Sequence, residues 1–330
     1  MPDAVFTARR ALRATLPLLA LALMAGCRDE GPSAAQIEAE AARERAVAEA
    51  AARYERAIVD ARERRLQNLQ KPDGWLSLVG LHWLEEGNSF VGSGPTRGVR
   101  LAVGPDELGL ISVDGGSVRF RPSDPAGVSF DGVPAGRGSR ELVTDADGAN
   151  PTVVGFNQGD ASFIVIERGG RFALRVRDAL APTRSGFTGL DYFAIDPAFR
   201  FEARFEPHPP GQTIGIVNVL GIDEARPNPG AVVFTKDGVA HRLEAVDEGD
   251  GRLFLIFADR TSGHETYPAA RFLYAERPGS TGLTVVDFNL AYNPPCAFTA
   301  FSTCPLPPLS NRLDLRITAG EKKPRRPESD

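Results

Sequence analysis

The sequence predicts a mainly β protein: two β-rich, sandwich- or barrel-like subdomains preceded by a long N-terminal α-helix. Three observations predict it. From Ala34 to about Gln70 the chain is rich in Ala, Glu and Arg and contains neither Gly nor Pro, a composition of strong helix formers. After Trp75 the helical period gives way to alternation. Asp-Gly pairs recur at Asp114-Gly115, Asp131-Gly132, Asp147-Gly148, Asp237-Gly238 and Asp250-Gly251, and Asp-Gly supplies the positive φ that tight hairpins need. The 34 Gly and 26 Pro of the chain suit a turn-rich sheet protein.

The first residues address compartment. Arg9, Arg10 and Arg13 precede an apolar run, Leu16 to Ala25, which is too short to span a bilayer as a mature helix. It ends in Leu23-Met24-Ala25-Gly26-Cys27, which resembles a bacterial lipobox, with Cys27 as the residue that becomes N-terminal and acylated. In this reading 1–26 is a signal peptide, and acyl chains on Cys27 hold the protein to a bacterial membrane, facing the periplasm. Arg28 stands where Asp would favour retention at the inner membrane, so the outer membrane is favoured. The formal net charge of −5 is mild. No basic patch with interleaved aromatics points to nucleic acid, and none is expected as a partner.

Residues 27–70 form the lipidated N-terminus and a helical spacer, roughly 55 Å long where helical at 1.5 Å per residue. Val47, Ala51, Tyr54, Ile58 and Ala61 share one thin stripe, continued near Leu66 and Leu69. The heptads are too poor for a coiled coil, so the expectation is a solvated stalk whose last turns dock on the body. Pro72-Asp73-Gly74 ends it. The body divides into an N-terminal β subdomain, 71–180, and a C-terminal one, 181–323, with 324–330 a disordered tail. The clearest strand is Phe199 to Glu206, with Phe199, Phe201, Ala203 and Phe205 on one face and alternating charges on the other. Arg171 to Arg177 has the same pattern, and Leu313, Leu315 and Ile317 suggest a last alternating strand.

Three groups could carry chemistry. Cys296 and Cys304 are an even remainder once Cys27 is lipidated. In an oxidising compartment they favour a structural disulfide over free thiols, stabilising by about 2–3 kcal/mol on the chain-entropy model. A redox pair or thiolate metal site would want Cys-x-x-Cys spacing, which is missing. Asp259-Arg260-Thr261-Ser262-Gly263-His264-Glu265-Thr266-Tyr267 follows the apolar strand Leu253 to Phe257. Asp259, His264 and Glu265 are acid–base types and Arg271 could assist. The same residues suit a turn in which Asp259 caps backbone amides and Arg271 pairs with a carboxylate. Asp287, Asn289, Tyr292, Asn293 and Asn311 form the third group. Asp287 and Asn289 are expected on one face of one strand, and Asn293-Pro294-Pro295 fixes an extended bend. These suit ligand recognition and, equally, a buried network that locks the loop. His82 reads as a packed histidine, His208 and His241 as surface. No spaced metal motif or cofactor fingerprint occurs, so no metal or cofactor is expected.

Several stretches carry a family resemblance: Gly74-Trp75-Leu76-Ser77-Leu78-Val79-Gly80-Leu81-His82-Trp83-Leu84; Ala258 to Tyr267 with Arg271-Phe272-Leu273-Tyr274; and the block from Asp287 to Gly320-Glu321-Lys322. They resemble the bacterial and archaeal domain of unknown function 1684 family over roughly residues 60 to 323. The resemblance implies a β fold with a signature loop and brings no activity. Where this chain has Leu290, it implies a charged residue in relatives.

Two functions remain. The first is a binding or structural role in the envelope, with a polar pocket near 259–271 and 287–311 taking a small molecule, glycan or envelope protein. Thr261, Tyr267, Asn289, Tyr292, Asn293 and Asn311 are its candidate contacts. The alternative is a periplasm-facing hydrolase using Asp259, Glu265 or Asp287 as acid or base, with His264 or Arg271 assisting.

Overall fold

The computed structural model describes residues 33–95 and 98–325. The expected signal peptide, Cys27 and residues 326–330 of the expected tail lie outside the described residues. Arg325 is described, and its guanidinium pairs with Asp191.

The helix runs Ala34–Leu69. Among the described residues, those up to Ala52 form one compact unit, and those from Arg53 onward form another with the whole β body. In the first unit the helix is solvated, with Val47 exposed. In the second, Ile58 and Leu69 are buried and Tyr54, Ala61, Arg62, Arg65 and Leu66 are half-buried. This is the stripe expected of docked last turns.

Two sheets follow. In the six-stranded one, Leu78–Trp83, Arg171–Asp178, Ala161–Arg168, Val154–Phe156, Ser129–Phe130 and Val133–Pro134 are neighbours in that order. In the five-stranded one the order is Val99–Arg100, Gly87–Gly92, Gly109–Asp114, Ser117–Pro122 and Arg140–Leu142. Val91, Ile111, Phe120, Phe156, Phe163 and Leu174 belong to one shared core. Two of the five Asp-Gly turns are built as expected: Asp131 and Gly132 have φ of 54° and 79°, Asp237 and Gly238 52° and 79°. At 114–116 the positive φ falls on Gly115 and Gly116, and Asp147-Gly148 ends a 3-10 turn, Ala146–Gly148, in place of a hairpin.

From Phe199 on, a four-stranded sheet places Val239–Ala245, Gly230–Lys236, Arg200–Pro207 and Leu283–Asp287 side by side. Two hairpins accompany it, Thr213–Val217 with Asp223–Pro227 and Arg252–Phe257 with Arg271–Glu276. Val232, Phe234, Leu255, Phe257 and Phe288 belong to its core. The architecture is thus mainly β, in several sheets, with no closed barrel among the described residues.

Three local expectations need correcting. The alternation at Leu313, Leu315 and Ile317 forms no ladder. Leu313 and Ile317 are buried, but this segment makes only a bridge between Arg312 and Ala258. Arg171–Asp178 is covered on both faces, and Arg175, expected to face water, is 5% exposed. The strand holding Asp287 ends there: Asp287 caps a short 3-10 turn, Phe288–Leu290, by accepting the Asn289 amide. Asp287 and Asn289 are joined through this cap, not by a strand face.

Candidate functional site

The Asp259 segment is closed. Arg271 enters from the strand opposite, where Phe257 pairs with Arg271. Its Nη1 donates to Asp259 Oδ2 at 2.6 Å and to the Ile317 carbonyl at 3.0 Å, and its Nη2 donates to the Ala319 carbonyl. Asp259 Oδ1 accepts the amide and hydroxyl of Thr261, whose oxygen lies 2.8 Å from that of Thr266. The side chains of Arg271 and Asp259 are 1% and 0% exposed. Burial pulls the guanidinium's pKa below its ordinary value, and Asp259 opposes that. Both carboxylate oxygens are therefore taken, and no substrate could reach them. Glu265 is half-exposed in a bidentate pair with Arg316. His264 points outward, exposed. The Tyr267 hydroxyl donates to the Cys296 carbonyl at 2.9 Å.

The second segment is closed by the helix. Tyr54 donates to Asp287, 2.9 Å to Oδ2, and accepts from Asn289 Nδ2 at 2.9 Å. Asn289 also stitches Asp196, taking its amide at 2.9 Å and donating to its carbonyl at 2.8 Å. Arg62 donates to the Phe193 carbonyl. Arg65 Nε reaches Glu321 Oε1 at 2.9 Å and its Nη2 reaches the Asn293 carbonyl at 2.9 Å. Glu321 is 1% exposed and also accepts the Asn293 amide, while Asn293 Nδ2 donates to the Lys322 carbonyl. Asn311 is a clasp between neighbouring strands: it accepts the Glu244 amide and donates to the carbonyls of Glu244 and Ile256. A side-chain amide that copies a strand's donor and acceptor satisfies backbone groups a sheet would otherwise leave open.

Cys296 and Cys304 form the disulfide, with Cα atoms 6.2 Å apart. Ser302 donates to Cys296 Sγ. His208 and His241 are half-buried, not surface residues. His208 Nε2 meets Glu244 Oε2 at 2.8 Å, and His241 stacks on Phe234. Burial raises the Glu244 pKa but is outweighed by hydrogen bonds from Asn228, His208 and Arg242, so Glu244 lies below its ordinary value. Among the described residues no group of three His, Cys, Asp or Glu side chains could hold a metal ion.

An open cavity of about 920 Å³ lies beside the disulfide loop instead. One wall comes from the six-stranded sheet, with Glu167, Arg168 and Arg175. Another carries Ile216, Phe254, Ile256, Phe272, Tyr274 and Tyr292 from the later hairpins and signature segment. Of the expected ligand contacts only Tyr292 lines it. Thr261, Tyr267, Asn289, Asn293 and Asn311 do not: their polar groups are spent on internal bonds, except Asn293 Oδ1, which is buried without a partner. Tyr54, Arg65, Arg175, Thr303 and Glu321 were not among the expected site residues. Tyr54 stood in the helix stripe and Glu321 in the terminal signature block, while Arg65, Arg175 and Thr303 carry no local signal.

All five tyrosines of the chain have raised pKa values, in each case chiefly from burial. Asp287 adds to this at Tyr54 and Glu321 at Tyr192. A raised folded pKa contributes stability that is complete below the unfolded value of about 10 and is lost as pH rises toward the folded one. Tyrosinate absorbance is therefore expected to stay flat past pH about 10 and then to rise in one step with loss of near-ultraviolet circular dichroism. A tyrosine titrating near that pH in folded protein would contradict this packing.

The chain is 34% identical to an uncharacterized protein of Haloarcula marismortui whose structure was determined in solution by NMR. The similarity covers 42% of this chain and 78% of that one, with a TM-score of 0.36. No curated protein matches the chain. The resemblance expected from about residue 60 is matched only from residue 185, which leaves the Gly74–Leu84 motif outside it. Residues 185–322, which hold both signature segments, match the family described as protein of unknown function (DUF1684).

Proposed function

We propose that this protein is a bacterial envelope lipoprotein, acylated at Cys27, facing the periplasm with the outer membrane favoured, that works by binding a small molecule. The supporting observation is a division of labour. The signature carboxylates Asp259 and Asp287 and the Nδ2 groups of Asn289, Asn293 and Asn311 are consumed in a closed network. The cavity beside them stays open and has a mixed polar and aromatic lining, of a size common for ligand sites. A general acid or base must come within hydrogen-bond reach of substrate, and neither Asp259 nor Asp287 meets that condition. The signature is a lock that holds the chain around the cavity, and the helix end is part of it.

Two measurements test the proposal. Cells grown with labelled palmitate should yield labelled protein, and Cys27→Ala should abolish the label; unlabelled wild-type protein would remove the anchor. Protein taken from its own membranes and denatured should release a small molecule. Ala225→Trp, which puts an indole into the cavity wall, should lower that yield in still-folded protein. Wild-type protein that releases nothing and shows no thermal shift with any small-molecule pool would overturn the binding role.

A further inference from the structure

We propose that the cavity is a carboxylate site in which Arg175 takes the anionic head of a small ligand with an apolar or aromatic body. This rests on the binding role proposed above and names its ligand class.

Arg175 is the cavity's anomaly. It lies in Arg171–Asp178, on the face opposite the first core, and is 5% exposed. Its Nη2 donates to Thr303 Oγ1 at 3.2 Å, while its Nε has no partner. Among the described residues no carboxylate lies in salt-bridge reach of it. The Trp75 ring sits 5.6 Å from its guanidinium carbon. Burial brings its pKa down to about 10, Arg168 and Arg177 push the same way, and Asp145 opposes them. Burying a guanidinium without a counter-charge costs several kcal/mol, and a bound anion would offset that cost.

The neighbouring cations are already matched. Arg168 is held by Asp145 at 2.9 Å, Arg65 by Glu321, and Asp247 pairs with Arg277. Arg226 lies 3.8 Å from both Glu224 and Glu248. Glu167 also lines the cavity but is not among the charges acting on Arg175. Arg175 is left as the lining cation without a carboxylate partner, and a single guanidinium suits a singly charged carboxylate better than a phosphate. Thr303 completes the head site. Its oxygen accepts from both Arg168 Nε and Arg175 Nη2, which leaves its own proton to donate. Arginine presents paired N–H groups that fit a carboxylate edge. Beyond the head, Ile216, Phe254, Ile256, Phe272 and Tyr292 supply apolar surface for the rest of the ligand.

The test titrates the full-length protein with 3-phenylpropionate and benzoate, with their neutral amides, and with inorganic phosphate, followed by calorimetry. Expected is saturable carboxylate binding, weakened at least about tenfold in the amides and in Arg175→Gln, as loss of a charged hydrogen bond implies. Thr303→Val should weaken it several-fold, and it decides the matter if Arg175→Gln does not fold. No saturation by either carboxylate below about 10 mM, or unchanged affinity in a folded Arg175→Gln, would overturn the site. Amides binding as tightly as the acids would leave the binding role standing and remove the anion assignment. Phosphate binding more tightly than both acids would overturn the single-charge argument.

Discussion

Replacing Arg271 by methionine should lower the unfolding free energy by about 3–5 kcal/mol, the cost of stranding one partner of a buried ion pair. Methionine keeps much of the stem's volume, so the loss is electrostatic before it is steric. It leaves the Asp259 carboxylate in a place with no water, and it frees the Ile317 and Ala319 carbonyls that the guanidinium tethers. Those carbonyls belong to a segment that has no ladder of its own, so Arg271 does there what strand pairing does elsewhere. Asp259→Asn should cost less, because an amide oxygen can still accept from Thr261. The double variant Arg271→Met with Asp259→Leu should recover part of the loss, since removing both charges is often close to neutral. Urea unfolding followed by circular dichroism reads all three. A single Arg271→Met within about 1 kcal/mol of wild type would mean that the pair is solvated and the lock is not closed.

The same residue shows what a sequence can and cannot announce. Asp259 and Arg271 were legible as a turn cap and an ion pair because both lie near one apolar strand. The helix was legible because 34–70 contains no Gly or Pro, and the hairpins because Asp-Gly sets their backbone. The disulfide followed from cysteine parity. Less legible was anything decided by a partner far along the chain. Tyr54 and Asp287 are 233 positions apart, and nothing near Asp287 in the sequence tells that the helix end supplies its partner. Arg175 stands in an alternating strand whose charged face should meet water. What covers that face is Thr303 and Trp75, from segments with no periodic relation to it. Leu313 and Ile317 had a strand's alternation because both enter the core, yet burial alone does not require a ladder. Periodicity reports which side chains are inside, and it is silent on what lies opposite.

Gly320→Ala should cost about 2–5 kcal/mol, from a left-handed backbone penalty of about 1–2 kcal/mol and overpacking of about 1–3 kcal/mol. Gly320 has φ of +79°, and a Cβ built there would lie 2.4 Å from the Ala291 carbonyl oxygen and 2.7 Å from that of Phe288. Both obstacles are backbone, so neither can turn aside. Relief would require the 288–291 turn and the 319–321 segment to separate. That separation would break the Phe193 amide's bond to the Gly320 carbonyl and the Glu321 amide's bond to the Ala291 carbonyl. Glu321 would then leave the place where it accepts from Arg65 and Asn293, so a single methyl group would also loosen the helix end. The expected signature is therefore local as well as global: a lowered midpoint in thermal unfolding, and faster amide exchange at Asn293 and Glu321 than at the distant core residues Val165 and Leu174. A stable Gly320→Ala with unchanged exchange at those two amides would show that the close approach is not what seats Glu321. In the expected case, the glycine, the buried glutamate and the helix arginine act as one joint, and the signature's polar residues are conformational fasteners for the cavity wall.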